Sequence, residues 1–204
     1  MIGNILAKWF YDFIYRYGKI PWDSGPRKEL VELVDSGRIK PCRVIDLGSG
    51  TASNCVFLAQ RGFDVTGVDY SESAVQLGIQ RARKAGVSVD FIKDDLTDLR
   101  YVKGQFDFLV DYGTLDDLHP RDRDRYMKNI IRLTNDNSIF LLYCFEWPPR
   151  WWEKPIFNRM AMMPGEVERR FGRFFEIERY SGSKNPDYSK YPAGYAVYLM
   201  KRKQ

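Results

Sequence analysis

The chain is poor in the residues from which metal sites and disulfide frameworks are built: its 204 residues include three cysteines and one histidine. Cys42, Cys55 and Cys144 are odd in number and share no ligand spacing, which excludes a disulfide scaffold and a cysteine-histidine metal centre. Three reduced, mostly buried thiols in a cytoplasmic protein are expected instead. No stretch reaches the roughly 18 consecutive apolar residues of a membrane span. Lys8, Asp12 and Arg16 interrupt the N-terminal segment too often for a signal peptide. Repeats and low-complexity tracts are absent, so a solenoid or a disordered linker is not expected. Neither sign of charge dominates: 32 basic and 27 acidic residues leave a formal net charge of +5. The excess is heaviest near 121–132, 150–173 and the last four residues, and from so mild an imbalance no nucleic-acid partner is expected.

What is present is enough apolar material, 44% of the residues with 15% aromatic, for one domain over 1–204 with a sizeable core. The stretch VIDLGSGTASNCVFLAQRG, residues 44–62, reads as a β-branched strand, a glycine turn (Gly48, Ser49, Gly50) and a helix. Glycines let such a turn bend tightly and approach a ligand, and the crevice it makes suits a nucleotide-like molecule. A dinucleotide turn would want a third glycine where this chain has Ser53, and no negative charge facing the pyrophosphate. Asp46 instead sets a carboxylate at the strand end, which repels a pyrophosphate and attracts a cationic amino group. A second strand, Val65–Val68, ends in Asp69, an acid able to accept both ribose hydroxyls of an adenosine. Two more strands carry Asp94 and Asp95, then Asp111. Asp46, Asp69, Asp95 and Asp111 thus recur at four successive strand ends, as a ligand lying across the carboxyl edge of a parallel sheet requires.

The ordered series VIDLGSG, VDYS, FIKDDL and FDFLVDYGTL resembles the motifs of class I methyltransferases that use S-adenosylmethionine (SAM), over about residues 43–145. The segment PWDSGPRKEL is similar to the entrance of the thiopurine, thiol and halide methyltransferase and tellurite-resistance group. The resemblance implies that Asp46, Gly48, Ser49 and Gly50 hold the methionine end and that Asp69 holds the ribose. It also implies that Tyr70 stacks near adenine, that Asp95 and Leu96 take the adenine edge, and that Asp111 lies under the methionine. The fold expected is α/β, a Rossmann-like seven-stranded, mostly parallel sheet flanked by helices.

Around that frame, residues 4–17 read as a helix with one aromatic face, since Ile5, Leu6, Trp9, Phe10, Phe13, Ile14 and Tyr17 recur at helical spacing. Three uses remain open: a packing helix, a lid within an N-terminal cap over 1–25 that brings Tyr11 or Tyr15 to a substrate, or attachment to a membrane surface. Trp22 stands where it could cover the cofactor. Ser24, Gly25 and Pro26 start a helix burying Leu30, Leu33 and Val34, and Ser71 caps another with Ala74, Leu77 and Ala82 inward. His119 and Pro120 open a helix whose RDRDR run reads as a solvated face. Ser138–Phe145 is apolar throughout and therefore central, and FFEIERYS and YAVYLMKR read as closing antiparallel strands.

Two stretches are left to define the acceptor. DYGTLDDLH offers Asp116, Asp117 and His119, with His119 either a helix-start residue or a general base for a hydroxyl or thiol. In thiol-methylating relatives the Asp116 or Asp117 position is often histidine, and this chain departs from that. The other is a substrate-side loop over 146–163, rich in Trp147, Trp151, Trp152, Phe157 and Met160, with Arg150 and Arg159 to draw an anionic group. The alternative is that it covers a sheet edge or a dimer partner. Asn185–Tyr188 only superficially matches the NPPY signature of DNA amino-methylating enzymes. The expected activity is SAM-dependent methylation, through S or O, of a small apolar or aromatic molecule by a monomer or homodimer. Catalytic candidates are Asp116, His119 and Tyr15. Alternatives are a protein-lysine methyltransferase, since DYGTLDD is similar to the DKGTLDA stretch of elongation-factor lysine methyltransferases, and a non-catalytic SAM-binding regulator.

Overall fold

Strands and helices largely alternate from residue 28 onward, with the strand at 90–93 leading directly to the one at 106–112 and, among the described elements, the strand at 175–182 to the one at 195–202, and the apolar periodicity of each segment decides which it becomes. The computed structural model describes residues 2–17, 20, 23–146, 161–183 and 194–204, with backbone alone over 2–9. It divides into two units, 1–104 and 105–204.

The first unit holds α1 (Ile2–Tyr17), α2 (Lys28–Asp35), β1 (Arg43–Leu47), α3 (Ser53–Ala59), β2 (Asp64–Asp69), α4 (Glu72–Ala85) and β3 (Asp90–Lys93). β1 and β2 run parallel, with Val44 opposite Val65 and Leu47 opposite Val68. β2 and β3 are also parallel, with Thr66 opposite Asp90. Residues 44–47 and 65–69 are buried without alternation, as strands covered on both faces must be. α4 approaches this sheet closely because Gly67 and Gly78 leave room for the Phe91 ring: a Cβ would meet it at 2.9 Å and 2.6 Å respectively. The Ser71 hydroxyl caps α4 by accepting from the Ala74 amide at 3.2 Å, and Gly86 at φ +69° ends it. Ala74 and Ala82 face inward as expected, joined by Val75 and Gly78, while Leu77 is only half-buried. In α2, Leu30 and Leu33 are fully buried, on the order of 2 kcal/mol of hydrophobic stabilisation each. Val34 is half-buried.

The second unit holds β4 (Phe106–Tyr112), α5 (Arg123–Leu133), β5 (Thr134–Phe145), α6 (Glu166–Phe171), β6 (Phe175–Gly182) and β7 (Tyr195–Arg202). β4 and β5 are parallel, and β5–β7 and β7–β6 antiparallel. β5 therefore has a partner on each side, as its apolar run predicts. Phe140, Phe171 and Phe175 pack α6 onto this unit, with ring centroids 6.0–6.4 Å apart. The fold is α/β: a seven-stranded mixed sheet, mostly parallel, with flanking helices.

One expectation is corrected. The RDRDR run is not uniformly solvated, because Arg123 is 1% exposed and Asp122 8%. Arg123 Nη1 meets both carboxylate oxygens of Glu166 at 3.2 Å. Its Nη2 donates to the carbonyls of Asp116 and Ala161, and its Nε to that of Leu118. A buried guanidinium is tolerable only when its donors are satisfied and a carboxylate is beside it, and Arg123 meets both conditions.

Candidate active site

In the first unit the chain leaves β1 through Gly48 (φ +75°) and Gly50 (φ +51°) and enters α3 through Ala52, the only non-glycine described at positive φ (+63°). The amides of Gly48 and Ser49 both donate to the Val68 carbonyl, at 2.8 and 2.9 Å, tying the turn to the end of β2. Asp69 completes the tie. Its two carboxylate oxygens accept from the Gly50 amide and the Ser71 amide, each at 2.9 Å. A carboxylate has about four lone-pair sites, so both oxygens retain capacity for a further donor.

Asp69 is 4% exposed and Asp46 2%. Burial pushes the Asp69 carboxyl up to about 6, although the amides of Ser71, Gly50 and Tyr70 oppose the shift. Burial likewise pushes Asp46 up to about 6, against the Cys55 thiol, which donates to it at 3.3 Å. Two buried carboxylates beside one turn, with no ammonium or guanidinium bonded to either among the described residues, favour a cationic ligand. The Ser49 hydroxyl is buried there too, with no hydrogen-bond partner among the described residues. Such an orphaned hydroxyl fits a polar ligand end seated on the turn.

α1 reaches the same turn. A Cβ on Gly50 would lie 2.8 Å from the Tyr15 hydroxyl, so Tyr15 stands directly over the glycine. Asp12 accepts from the Ser71 hydroxyl at 2.6 Å and the Ser73 amide at 3.3 Å, fixing α1 to the start of α4. The segment after α1 is held by Asp23, which accepts from Thr51 Oγ1 (3.0 Å), Ser53 Oγ (2.9 Å), Arg81 Nη1 (2.9 Å) and Arg81 Nη2 (2.6 Å). Arg81, then burial acting the other way, then the two hydroxyls set the Asp23 carboxyl at about 2. Asn54 adds a second tie by accepting from the Arg27 amide at 3.1 Å.

Past the end of β2, Tyr70, Asp95, Asp94 and Asp12 help to line a groove of about 720 Å³. Asp94 is 6% exposed and folds the next loop by accepting the amides of Asp95, Arg100 and Tyr101. Asp95 is half-buried, and one of its oxygens takes the amide and hydroxyl of Thr97. Leu96 is 6% exposed.

In the second unit Asp111 is fully buried and accepts from the Thr114 amide (2.8 Å), the Leu115 amide (3.1 Å) and the Tyr126 hydroxyl (2.5 Å). It shapes the DYGTL turn. Asp116 is fully buried as well. One oxygen takes the Phe145 amide at 3.0 Å and the other has no hydrogen-bond partner among the described residues. Burial, reinforced by Asp117, raises its carboxyl well above the ordinary range. His119 is half-buried, and its Nδ1 accepts from the Arg121 amide at 3.2 Å. That bond puts the neutral ring's proton on Nε2, and a base role would require giving the bond up. Tyr112 stacks on Tyr143 (centroids 4.2 Å, planes 10° apart) and Tyr143 on Tyr195 (5.4 Å, 26°), with Phe145 edge-on to Tyr143 at 5.6 Å. Register places Tyr112 opposite Tyr143 and Phe145 opposite Tyr195, so these rings share one face at the carboxyl ends of β4 and β5.

The structure thus gathers Asp46, Gly48, Ser49, Gly50, Asp69 and Tyr15 around one turn, and Asp111, Asp116 and His119 around another. Trp22, the Trp-rich stretch 147–160 and Asn185–Tyr188 lie outside the described residues. Asp12, Asp23 and Arg81 were missed as site residues. Asp23 had a signal in PWDSG, and Asp12 is the lone acid on an otherwise apolar and basic helix, whereas Arg81 sits in no motif.

A glycine turn flanked by buried acids at the ends of parallel strands defines a Rossmann-like methyltransferase fold. The family model described as a methyltransferase domain matches residues 39–168, and the chain belongs to that family, whose methyl donor is S-adenosylmethionine. It is 27% identical over 134 residues to the 2-heptyl-1-hydroxyquinolin-4(1H)-one methyltransferase of Mycobacteroides abscessus, covering 63% of this chain and 59% of that relative. The chain therefore spans about three-fifths of that relative's length. Among solved structures, it is similar to 1,6-didemethyltoxoflavin-N1-methyltransferase of Burkholderia thailandensis, a complex with 1,6-didemethyltoxoflavin and S-adenosylhomocysteine (TM-score 0.76, 18% identity, 98% of this chain and 89% of that one). It is also similar to TehB of Haemophilus influenzae (TM-score 0.68, 19% identity, 94% of this chain and 66% of that one), in keeping with the tellurite-resistance resemblance.

Proposed function

We propose that residues 1–204 act as one methyltransferase domain that moves a methyl group from SAM to a small, planar or apolar acceptor through S or O. SAM supplies the activation, a methyl group on a positively charged sulfur, and the chain's residues supply alignment. Asp46 draws the ammonium of the methionine end, the Gly48–Gly50 turn and the Ser49 hydroxyl meet its polar atoms, and Asp69 adds ribose contacts to the amides it already holds. Tyr70, Asp95 and Leu96 frame the adenine. Tyr15 closes over the turn from α1. Asp111 shapes the DYGTL turn on the acceptor side.

The observation that carries the acceptor class is the tyrosine stack. Tyr112, Tyr143 and Tyr195 form an aromatic wall suited to a flat or apolar molecule. The acceptor-side histidine points the same way: His119 is committed at Nδ1, so it is not set to deprotonate a strongly basic amine. A thiol or an acidic hydroxyl needs little help. In the transfer the acceptor's lone pair forms the bond to the methyl carbon as the sulfur–methyl bond breaks, and the acceptor's proton leaves to water. The quinolone methyltransferase among its relatives, by its name, acts on a hydroxylated planar ring, in line with this reading.

The test is a panel of thiols, phenols, hydroxy-heteroaromatics and lysine peptides with methyl-labelled SAM. Label in planar phenols or thiols supports the proposal. Label in the lysine peptides alone would replace it with protein methylation, and label in none, with SAM still bound, would favour a regulatory SAM-binding role.

A further inference from the structure

We infer that the outer face of α1 is a docking surface for an anionic lipid bilayer. A helix packed on a domain ordinarily turns its apolar side inward, yet the described side chains of α1, residues 10–17, leave three aromatic rings outside. Its inward side carries Tyr15 over Gly50 and Asp12 on Ser71 and Ser73. Phe10, Phe13 and Tyr17 are left 59%, 61% and 70% exposed. Positions 10, 13 and 17 are spaced by three and four, so the rings fall on one helix face. Of the seven large hydrophobic side chains exposed among the described residues, these are the only ones that share an element. The rings of Phe13 and Tyr17 already touch, with centroids 5.3 Å apart, so the patch is contiguous.

Charge selects the occupant. Residues 2–17 contain two cations, Lys8 and Arg16, and one acid, Asp12, which is spent on α4. Arg16 is exposed beside Tyr17, its guanidinium carbon 5.8 Å from the ring centroid, and the chain carries +5 overall. Aromatic rings with an exposed arginine beside them are what the headgroup boundary of an anionic leaflet takes up. A second copy would bring Arg16 against a face carrying the same charge, which disfavours self-pairing. The inward contacts fix the orientation of the helix, so the exposure follows from how α1 is held.

The experiment is sedimentation of the full chain with vesicles of phosphatidylcholine alone and with roughly a third phosphatidylglycerol, at about 0.1 M and about 0.5 M salt. Sedimentation velocity without lipid is run alongside. Binding is expected on the anionic vesicles and reduced by salt. Phe10→Ser/Phe13→Ser should lose about tenfold or more in partitioning, and Arg16→Glu should lose binding to anionic vesicles, with melting temperatures unchanged. Failure of the wild type to bind, or equal binding by the variants, would overturn the inference. So would a lipid-free dimer that Phe10→Ser/Phe13→Ser converts to monomer, since that assigns the face to a second copy. None of these readouts requires SAM or methyl transfer.

Discussion

Arg81 grips Asp23 through both ends of its guanidinium, at 2.9 and 2.6 Å, and joins α4 to the segment that follows α1. The same carboxylate takes the hydroxyls of Thr51 and Ser53, so one acid fastens the N-terminal segment to the exit of the glycine turn. Any movement of residues 23–27 therefore acts on the Gly48–Gly50 turn.

Asp23→Asn should loosen that fastening. The pair is 39% and 23% exposed, so solvent screening limits its worth to about 1 kcal/mol of fold stability. The larger expected effect is on SAM, a weakening of about threefold to tenfold as the turn loses its anchor. Thermal melts and a SAM titration on the variant separate the two, and a large melting shift with unchanged affinity would detach Asp23 from the site.

Gly50→Ala tests how closely α1 covers the turn. The substitution strains a backbone at φ +51° and sets a Cβ 2.8 Å from the Tyr15 hydroxyl. A loss of about 1 kcal/mol in denaturant unfolding is expected from the backbone alone, with a further part from the overlap. Tyr15→Phe in the Gly50→Ala background should recover the overlap part only. If it recovers nothing, Tyr15 does not rest on Gly50 in solution.

The pH dependence follows from Asp46 and Asp69, both raised to about 6 by burial. A cationic ligand needs them ionised, so SAM affinity should be level above about pH 7 and fall as pH drops through 6. The ligand-free fold should show the opposite trend. A carboxyl raised above its ordinary 3.8 stabilises the fold fully below 3.8 and loses that contribution as pH rises through about 6. The melting temperature of the free protein should therefore rise between pH 7 and pH 5. Asp23, lowered to about 2, does not oppose this, because its contribution is lost only far lower, as pH falls towards 2. Affinity that is flat from pH 5 to 8 would mean these acids do not face a cation.

Arg123→Met should destabilise by about 1–3 kcal/mol, because it leaves the buried carbonyls of Asp116 and Ala161 without their donor and Glu166 with Arg170, at 2.8 Å, as its one remaining guanidinium partner among the described residues. Arg123→Met/Glu166→Gln should recover part of the loss in urea unfolding. Equal losses for the single and double variants would show that the pair is not coupled.

How much of this was legible in the sequence depends on the kind of signal. β1, the glycine turn and α3 follow one another over 43–59, and the chemistry that forces each is local: β-branched residues, then glycines needing positive φ, then helical periodicity. β5 was legible because an unbroken apolar run has only one stable place, between two partners. Arg123 was not. On a helix start rich in alternating charges, burial is decided by a carboxylate 43 positions away, and no local pattern shows it. Arg81 escaped for the same reason, its partner Asp23 being 58 positions distant. α1 shows a third case. Its aromatic periodicity was plain, yet periodicity alone does not say which face turns outward, and the single acid Asp12 decides it.

Asp69→Ala removes the acid that ties the turn and, on the proposed reading, adds the ribose contacts. A loss of roughly 1.5–3 kcal/mol in SAM binding is expected from a charge-assisted contact of this kind. Unchanged affinity would remove Asp69 from the cofactor site.

The most direct measurement is calorimetric titration of the full chain with S-adenosylhomocysteine and, separately, with a nicotinamide dinucleotide. Saturable heat at one equivalent with the first and none with the second is the predicted result. No heat with S-adenosylhomocysteine, together with clear binding of the dinucleotide, would contradict the claim that buried acids around the Gly48–Gly50 turn hold a methyl donor.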